Sequence, residues 1–132
     1  MGFTKFSIYA AAHINTLRGL FEGGGTGEIV ENSKWAAGSR IFHDAQKVGQ
    51  RVPVIFADSS KDSTGELLYW GLLTDVEVLS ERSTRFRFEG MTPLGGDIPK
   101  SRLLKKNRNE PLSDGYRRSY SIVYTPDFIL QS

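Results

Sequence analysis

The chain has 132 residues, 39% hydrophobic and 24% charged, and its 17 basic and 15 acidic side chains leave a net charge of +2. That size and balance describe one folded domain able to bury a core, and they exclude wholesale disorder and a polycation. No apolar run approaches the roughly 18 residues of a membrane span, and the absence of cysteine excludes disulfides and thiolate metal ligands.

The opening residues MGFTKFSIYAAAH hold only a brief apolar stretch, which reads as a first strand rather than a secretion signal. A cytoplasmic location is the default expectation. Residues 3–10 alternate, with Phe6, Ile8 and Ala10 on one face. Residues 13–21 space Ile14, Leu17 and Phe21 as a helical turn or two, which dissolves into the glycine-rich run 23–27, read as a flexible loop. That run is no P-loop, because no Gly-Lys-Ser/Thr follows it.

Trp35 stands in a small-residue loop ahead of a helix in which Ile41, Phe42, Ala45 and Val48 fall on one face. Ser39 is the expected cap, Lys47 suits the last turn and Gly49 the stop. Val52, Val54 and Phe56 then mark a strand, with Pro53 near its start, and residues 58–65 form a polar loop. From Leu67 the chain alternates for a dozen residues. Trp70, Leu72, Thr74, Val76 and Val78 share one face, Asp75 and Glu77 the other, and Gly71 marks a bulge or a close approach. A further strand over residues 84–89 points Phe86 and Phe88 inward and Arg85, Arg87 and Glu89 outward. Residues 91–118 read as a long loop, Tyr120, Ile122 and Tyr124 as a last strand, and Thr125-Pro126-Asp127 as a helix start. With only Phe128 to Ser132 left for that helix, residues 1–132 read as a single domain excised from a longer protein, of the kind that carries an attached nuclease or motor domain. The fold class expected is α+β: a small, curled, mostly antiparallel sheet or β-barrel flanked by short helices.

Charge is unevenly spread. Residues 100–118 carry Lys100, Arg102, Lys105, Lys106, Arg108, Arg117 and Arg118 against Glu110 and Asp114, a net +5 that leaves −3 on the remainder. Such a segment is a candidate phosphate-binding footprint, with a solvated loop as its plain reading. No Ser-His-Asp or Cys-His pattern is legible. His13 and His43 are too few for a histidine metal site, and Asp58, Asp62 and Glu66 lack the glycine and terminal acid of a calcium loop. No cofactor and no metal are expected. An indole in a loop is different, because exposing it is unfavourable unless it packs or binds something.

The order Trp35-Ala36-Ala37, a helix containing Ala45, the strand Val52-Pro53-Val54-Ile55-Phe56-Ala57-Asp58-Ser59 and Gly71 opening a strand resembles the YTH domain. The run Lys105-Lys106-Asn107-Arg108-Asn109-Glu110-Pro111-Leu112-Ser113-Asp114-Gly115 is similar to that family's basic, Asn-rich stretch. The similarity covers about residues 3–125, and the same features resemble the EVE and ASCH domains of the wider PUA-like superfamily. The chain departs from the YTH pattern where a second cage tryptophan belongs, at Phe88-Glu89-Gly90, and at Ala36, often polar in the family.

The resemblance implies a nucleic-acid-binding module, for RNA or DNA, that takes a flipped, methylated or otherwise modified base into an aromatic pocket. Trp35 would be the first wall and Tyr69 or Trp70 the second, with Asp58 and Ser59 reading the base edge. Lys100, Arg102, Lys105, Lys106, Arg108, Arg117 and Arg118 would hold phosphates. The alternatives are an ASCH-type amidohydrolase acting on modified nucleosides, drawing on Thr74, Lys47 and Glu77, and a protein-interaction domain. No membrane partner is expected.

Overall fold

The almost unbroken apolar run from Val52 to Ala57 takes the place such runs need, a central strand covered on both faces. The computed structural model describes residues 2–60, 66–106, 110–113 and 119–132. In chain order its elements are β1 (Phe6–Ala12), α1 (Ile14–Glu22), β2 (Gly27–Glu31), α2 (Ala36–Lys47), β3 (Pro53–Asp58), β4 (Leu67–Ser80), β5 (Ser83–Ile98), a 3-10 turn (Lys100–Arg102), β6 (Tyr120–Tyr124) and α3 (Asp127–Leu130). The strands form one six-stranded sheet in the order β2-β5-β4-β3-β1-β6. Only β1 and β3 run parallel, with Ile8 opposite Val54 and Ala10 opposite Phe56, and the other four pairings are antiparallel. The curled sheet is open, not a closed barrel: β2 and β6 remain its two ends.

Alternation along the central strands builds two cores. Ile8, Ala10, Val54 and Phe56 project to the side of α1 and α2, where they join Leu17, Trp35, Phe42, Ala45, Phe86 and Phe88. Tyr9, Ile55 and Ala57 project to the other side and meet Leu67, Trp70, Leu103, Leu112, Val123 and Ile129. Each large apolar side chain buried in this way contributes about 1.5–3 kcal/mol relative to exposure.

Several expected elements are placed differently. The glycine-rich run does not stay a loop: Gly24 and Gly25 take positive φ of 119° and 78°, and the chain turns straight into β2, which pairs with β5 from Gly27–Phe88 to Glu31–Thr84. β5 runs on to Ile98, so the expected long loop begins eight residues late. On β4 the single apolar face of the simple alternation breaks. Register shifts between Trp70 and Leu72 and between Leu73 and Asp75 put Trp70 in one core, and Leu73 and Val76 in the other. Gly71 sits at the first shift, where a Cβ would lie 3.0 Å from the Glu89 carbonyl oxygen, so the close approach expected there is present. Phe86 and Phe88 face inward as their alternation requires.

Helix boundaries also move. α2 starts at Ala36 rather than after Ser39, with Trp35 as its N-cap residue and Ser39 N–H donating to the Trp35 carbonyl at 2.8 Å. No side chain of α2 caps it. Tyr120 on β6 does so from a distance, its hydroxyl accepting from Gly38 N–H at 2.9 Å and satisfying one of the orphan amides of the first turn. Gly49 ends the helix with φ of 71°, the left-handed stop the sequence suggested.

Candidate nucleic-acid interface

Trp35 is not an exposed loop aromatic. It is fully buried at 0% exposure, packed face to face with Phe86 at 4.4 Å and 19° and with Tyr120 at 4.9 Å and 14°. Its backbone N–H donates to Thr84 Oγ1 at 2.9 Å, and the Thr84 hydroxyl passes its proton to the Ser33 carbonyl at 2.8 Å. The indole therefore ties α2, β5 and β6 together, and in this arrangement it offers no ring face to a base. Its Nε1–H has no hydrogen-bond acceptor among the described residues.

The other expected wall residues do not converge on it. Tyr69 leans on Phe21 of α1 at 5.3 Å, while Trp70 is 8% exposed on the opposite face of the sheet, edge-on to Phe3 at 5.9 Å. Adjacent residues of a strand point to opposite faces, so Tyr69 and Trp70 cannot share one pocket. Asp58 is used locally: its Oδ1 accepts from Ile14 N–H at 3.0 Å, at the start of α1, and from Ser60 N–H at 2.9 Å. A carboxylate there satisfies an orphan amide and suits the helix dipole. Ser59 is exposed and extends the β1–β3 pairing through its N–H to the Ala12 carbonyl at 2.9 Å.

The described parts of the basic segment, residues 100–106 and 110–113, are tied to the fold. Leu103 and Leu112 are fully buried and anchor them in the second core, joined by Leu112 N–H to the Leu103 carbonyl at 2.9 Å. Between them Lys105 N–H donates to the Glu110 carbonyl at 2.8 Å, and Lys106 N–H to the Ile122 carbonyl at 3.1 Å. Residues 104–106 thus lie along the outer edge of β6 and cover it there. Lys100 is only 8% exposed, which removes it from the expected phosphate surface, whereas Arg102 and Lys106 are exposed and Lys105 is half-buried. Arg108, Arg117 and Arg118 lie outside the described residues.

This anchoring brings Lys106 to a residue that the sequence reading passed over. Its Nζ lies 4.9 Å from the centroid of Phe6, and the Nζ of Lys5 lies 5.7 Å from the same ring and 5.9 Å from Tyr124. Phe6 and Tyr124 are cross-strand partners on β1 and β6, their centroids 5.0 Å apart. Both rings are half-buried and both lysines exposed. Among the described residues neither lysine forms a salt bridge. Beside the pair opens a 360 Å³ hollow lined by Lys5, Phe6, Ile41, Asp44 and Val48 among others. The sequence signal for this site was the dipeptide Lys5-Phe6 at the start of a strand, but nothing along the chain links it to Lys106. That link exists only through the β1–β6 pairing.

Other charged groups are accounted for on the surface. Glu28, Arg87, Asp75, Arg85 and Glu77 form a ladder across β2, β5 and β4, with Arg87 Nε 2.7 Å from Glu28 and an Arg85–Glu77 pair beside it. The hydrogen bond and charge of Glu28 push the Arg87 guanidinium above its ordinary value. Thr74, Lys47 and Glu77, the types an amidohydrolase would need, are not gathered. Lys47 pairs with Asp44 at 3.9 Å and Glu77 with Arg85, on separate elements. His13 instead caps α1, its Nδ1 accepting from Asn15 N–H at 3.2 Å, and His43 is exposed on α2 with its Nδ1 2.7 Å from the Ser39 carbonyl oxygen. Among the described residues no three His, Asp or Glu side chains are grouped to hold a metal, and no helix is long and apolar enough to cross a membrane. Comparison of the chain with protein families, with curated proteins and with solved structures finds no match.

Proposed function

We propose that this domain is a PUA-like nucleic-acid-binding module whose contact surface is the Lys5–Phe6–Tyr124–Lys106 patch. The observation that carries the reading is the placement of two exposed, unbridged ammonium groups within 6 Å of one solvent-accessible aromatic ring. Cations supply the sequence-independent attraction to phosphates, and a ring beside them gives a base something to stack on. The hollow past Phe6, with Ile41 and Val48 on its wall, leaves room for the sugar or base that follows. The tryptophan cage for a methylated base is not retained, because both faces of Trp35 are covered.

The test is fluorescence anisotropy with single- and double-stranded RNA and DNA oligonucleotides at several salt concentrations. Wild type should bind with an affinity that falls linearly in log–log against salt. The Lys5→Ala/Lys106→Ala double variant should bind more weakly, with a slope shallower by about 1.4–1.8, since each lost phosphate contact removes about 0.7–0.9. Absence of salt-dependent binding to any oligonucleotide would reject the reading in favour of a protein-interaction domain.

A further inference from the structure

At the opposite end of β1 from Lys5 and Phe6, the two ends of the curled sheet approach without pairing. The gap between them is a recess of about 440 Å³, lined by Ala11 and Ala12 of β1, Thr16 of α1, the residues of β2 from Glu28 to Glu31, Asn32 and Ser119. Its walls differ in character. Ala11 and Ala12, adjacent on β1, turn their methyl groups to opposite faces of the sheet, so this side of the recess carries no polar side chain. β2 is an end strand, so alternate backbone N–H and C=O groups on its outer edge have no strand partner.

Glu31 gives the recess its chemistry. It is 6% exposed, yet among the described residues no lysine, arginine or histidine forms a salt bridge with it. What holds it is a pair of hydroxyls: Ser33 donates to Oε2 and Ser119 to Oε1. These bonds fix the orientation of the carboxylate from two sides of the gap. A carboxylate has about four lone-pair sites, so acceptor capacity remains on both oxygens. Glu28, the other acid at the rim, is engaged by Arg87. Glu31 is therefore a fixed acceptor in the recess, and the Asn32 amide beside it adds a group able to donate or accept.

We infer that this recess takes a nucleobase carrying an exocyclic amino group, cytosine, adenine or guanine, with Glu31 accepting from the amine. Uracil and thymine present a carbonyl oxygen at the corresponding edge, which a carboxylate repels. A carboxylate accepting from cytosine N4 is an established form of base readout, and a good base-edge contact discriminates by about 1–3 kcal/mol, roughly 5- to 150-fold. The inference rests on the nucleic-acid reading for the source of the base, but the recess and the lysine patch are separate surfaces and can be tested apart.

The experiment has two arms. In the first, anisotropy compares oligo-dC, oligo-dA and oligo-dT of equal length on wild type, Glu31→Gln and Thr16→Trp. Thr16 is exposed on α1, so its replacement occludes the recess without entering either core. Wild type should favour dC or dA over dT about tenfold, and both variants, folded by circular dichroism, should lose that preference to within about twofold. Lys5→Ala/Lys106→Ala should weaken all three oligonucleotides alike. Equal binding of dC, dA and dT by wild type overturns the inference and leaves the nucleic-acid reading standing. So does a preference that survives in both variants. In the second arm, wild type is titrated with free cytidine and with uridine by NMR. Amide shifts confined to residues 28–32 and 119 with cytidine alone support the recess even if no oligonucleotide binds. No shifts with either nucleoside overturn it.

Discussion

Trp35 and Tyr120 lie almost parallel, 14° apart, and the tyrosine that covers the indole also caps the helix the tryptophan begins. One side chain of β6 thus fixes both the packing and the first turn of α2. The indole is a structural keystone, and its substitution should report on folding. Trp35→Ala should cost about 3–5 kcal/mol, read from urea or thermal unfolding. Trp35→Phe should fold and bind oligonucleotides as wild type does, because no base touches the ring. A Trp35→Phe protein that is folded but loses binding would contradict this placement.

Gly38 offers a sharper test of the same contact. At an open helix position, glycine to alanine stabilises by about 0.8–1.0 kcal/mol. Here a Cβ would lie 3.0 Å from Ile8 Cδ1 and 3.2 Å from the Tyr120 hydroxyl oxygen. Gly38→Ala should therefore destabilise, by about 1–2 kcal/mol, as it displaces the hydroxyl from the helix amide. A rise in midpoint would show that the tyrosine cap is dispensable.

The β1–β6 junction contains a buried hydroxyl relay. Thr125 Oγ1 donates to the Thr4 carbonyl at 2.7 Å and lies 2.6 Å from Ser7 Oγ, which is fully buried and supplies the other proton. Thr125→Val removes both a donor and an acceptor and strands the serine proton, at a cost of about 1–3 kcal/mol. Ser7→Ala leaves only spare acceptor capacity and should cost less. The double variant should be more stable than Thr125→Val alone, and chemical denaturation of the three proteins measures that ordering.

Phe6 separates stacking from charge. Phe6→Leu keeps apolar bulk at the strand start but removes the ring, and should weaken single-stranded oligonucleotide binding by about 1–3 kcal/mol. Its salt slope should match wild type, because both lysines remain. A shallower slope would mean that the ring acts only by positioning Lys5 and Lys106.

What could be read from the chain is unequal. The central strand was legible because the run Val52 to Ala57 needs cover on both sides, and Gly49 and Gly71 announced a stop and a close approach that are both present. The register shifts of β4 were not legible, since a bulge inserts a residue without altering composition, and the one between Leu73 and Asp75 puts Val76 on the face of Leu73 instead of that of Trp70. β2 was hidden by the glycines that precede it. Trp35 stood out correctly as a residue needing a partner, but that partner came from β5 and β6 rather than from a ligand. The charge of the basic segment was visible, whereas its anchoring by Leu103 and Leu112 has no periodic signature, and the meeting of Lys5 with Lys106 is purely tertiary.

The strand order sets a timetable for folding. Between the parallel neighbours β1 and β3 the chain travels to the far end of the sheet to lay down β2, whose strand partner among the described residues, β5, is made some fifty residues later. β1 meets its parallel partner β3 within the first 58 residues, but β2 has no strand to join until β5 exists. The β4–β5 hairpin closes through a short turn and has the lowest loop-closure cost of the pairings, whereas β2 and β6 close much longer loops. Val76→Ala in the hairpin should slow refolding, and Val123→Ala on β6 should chiefly hasten unfolding, a division that stopped-flow chevrons resolve. On a ribosome, β2 therefore emerges some fifty residues before the strand it pairs with, and until then both of its edges are unpaired.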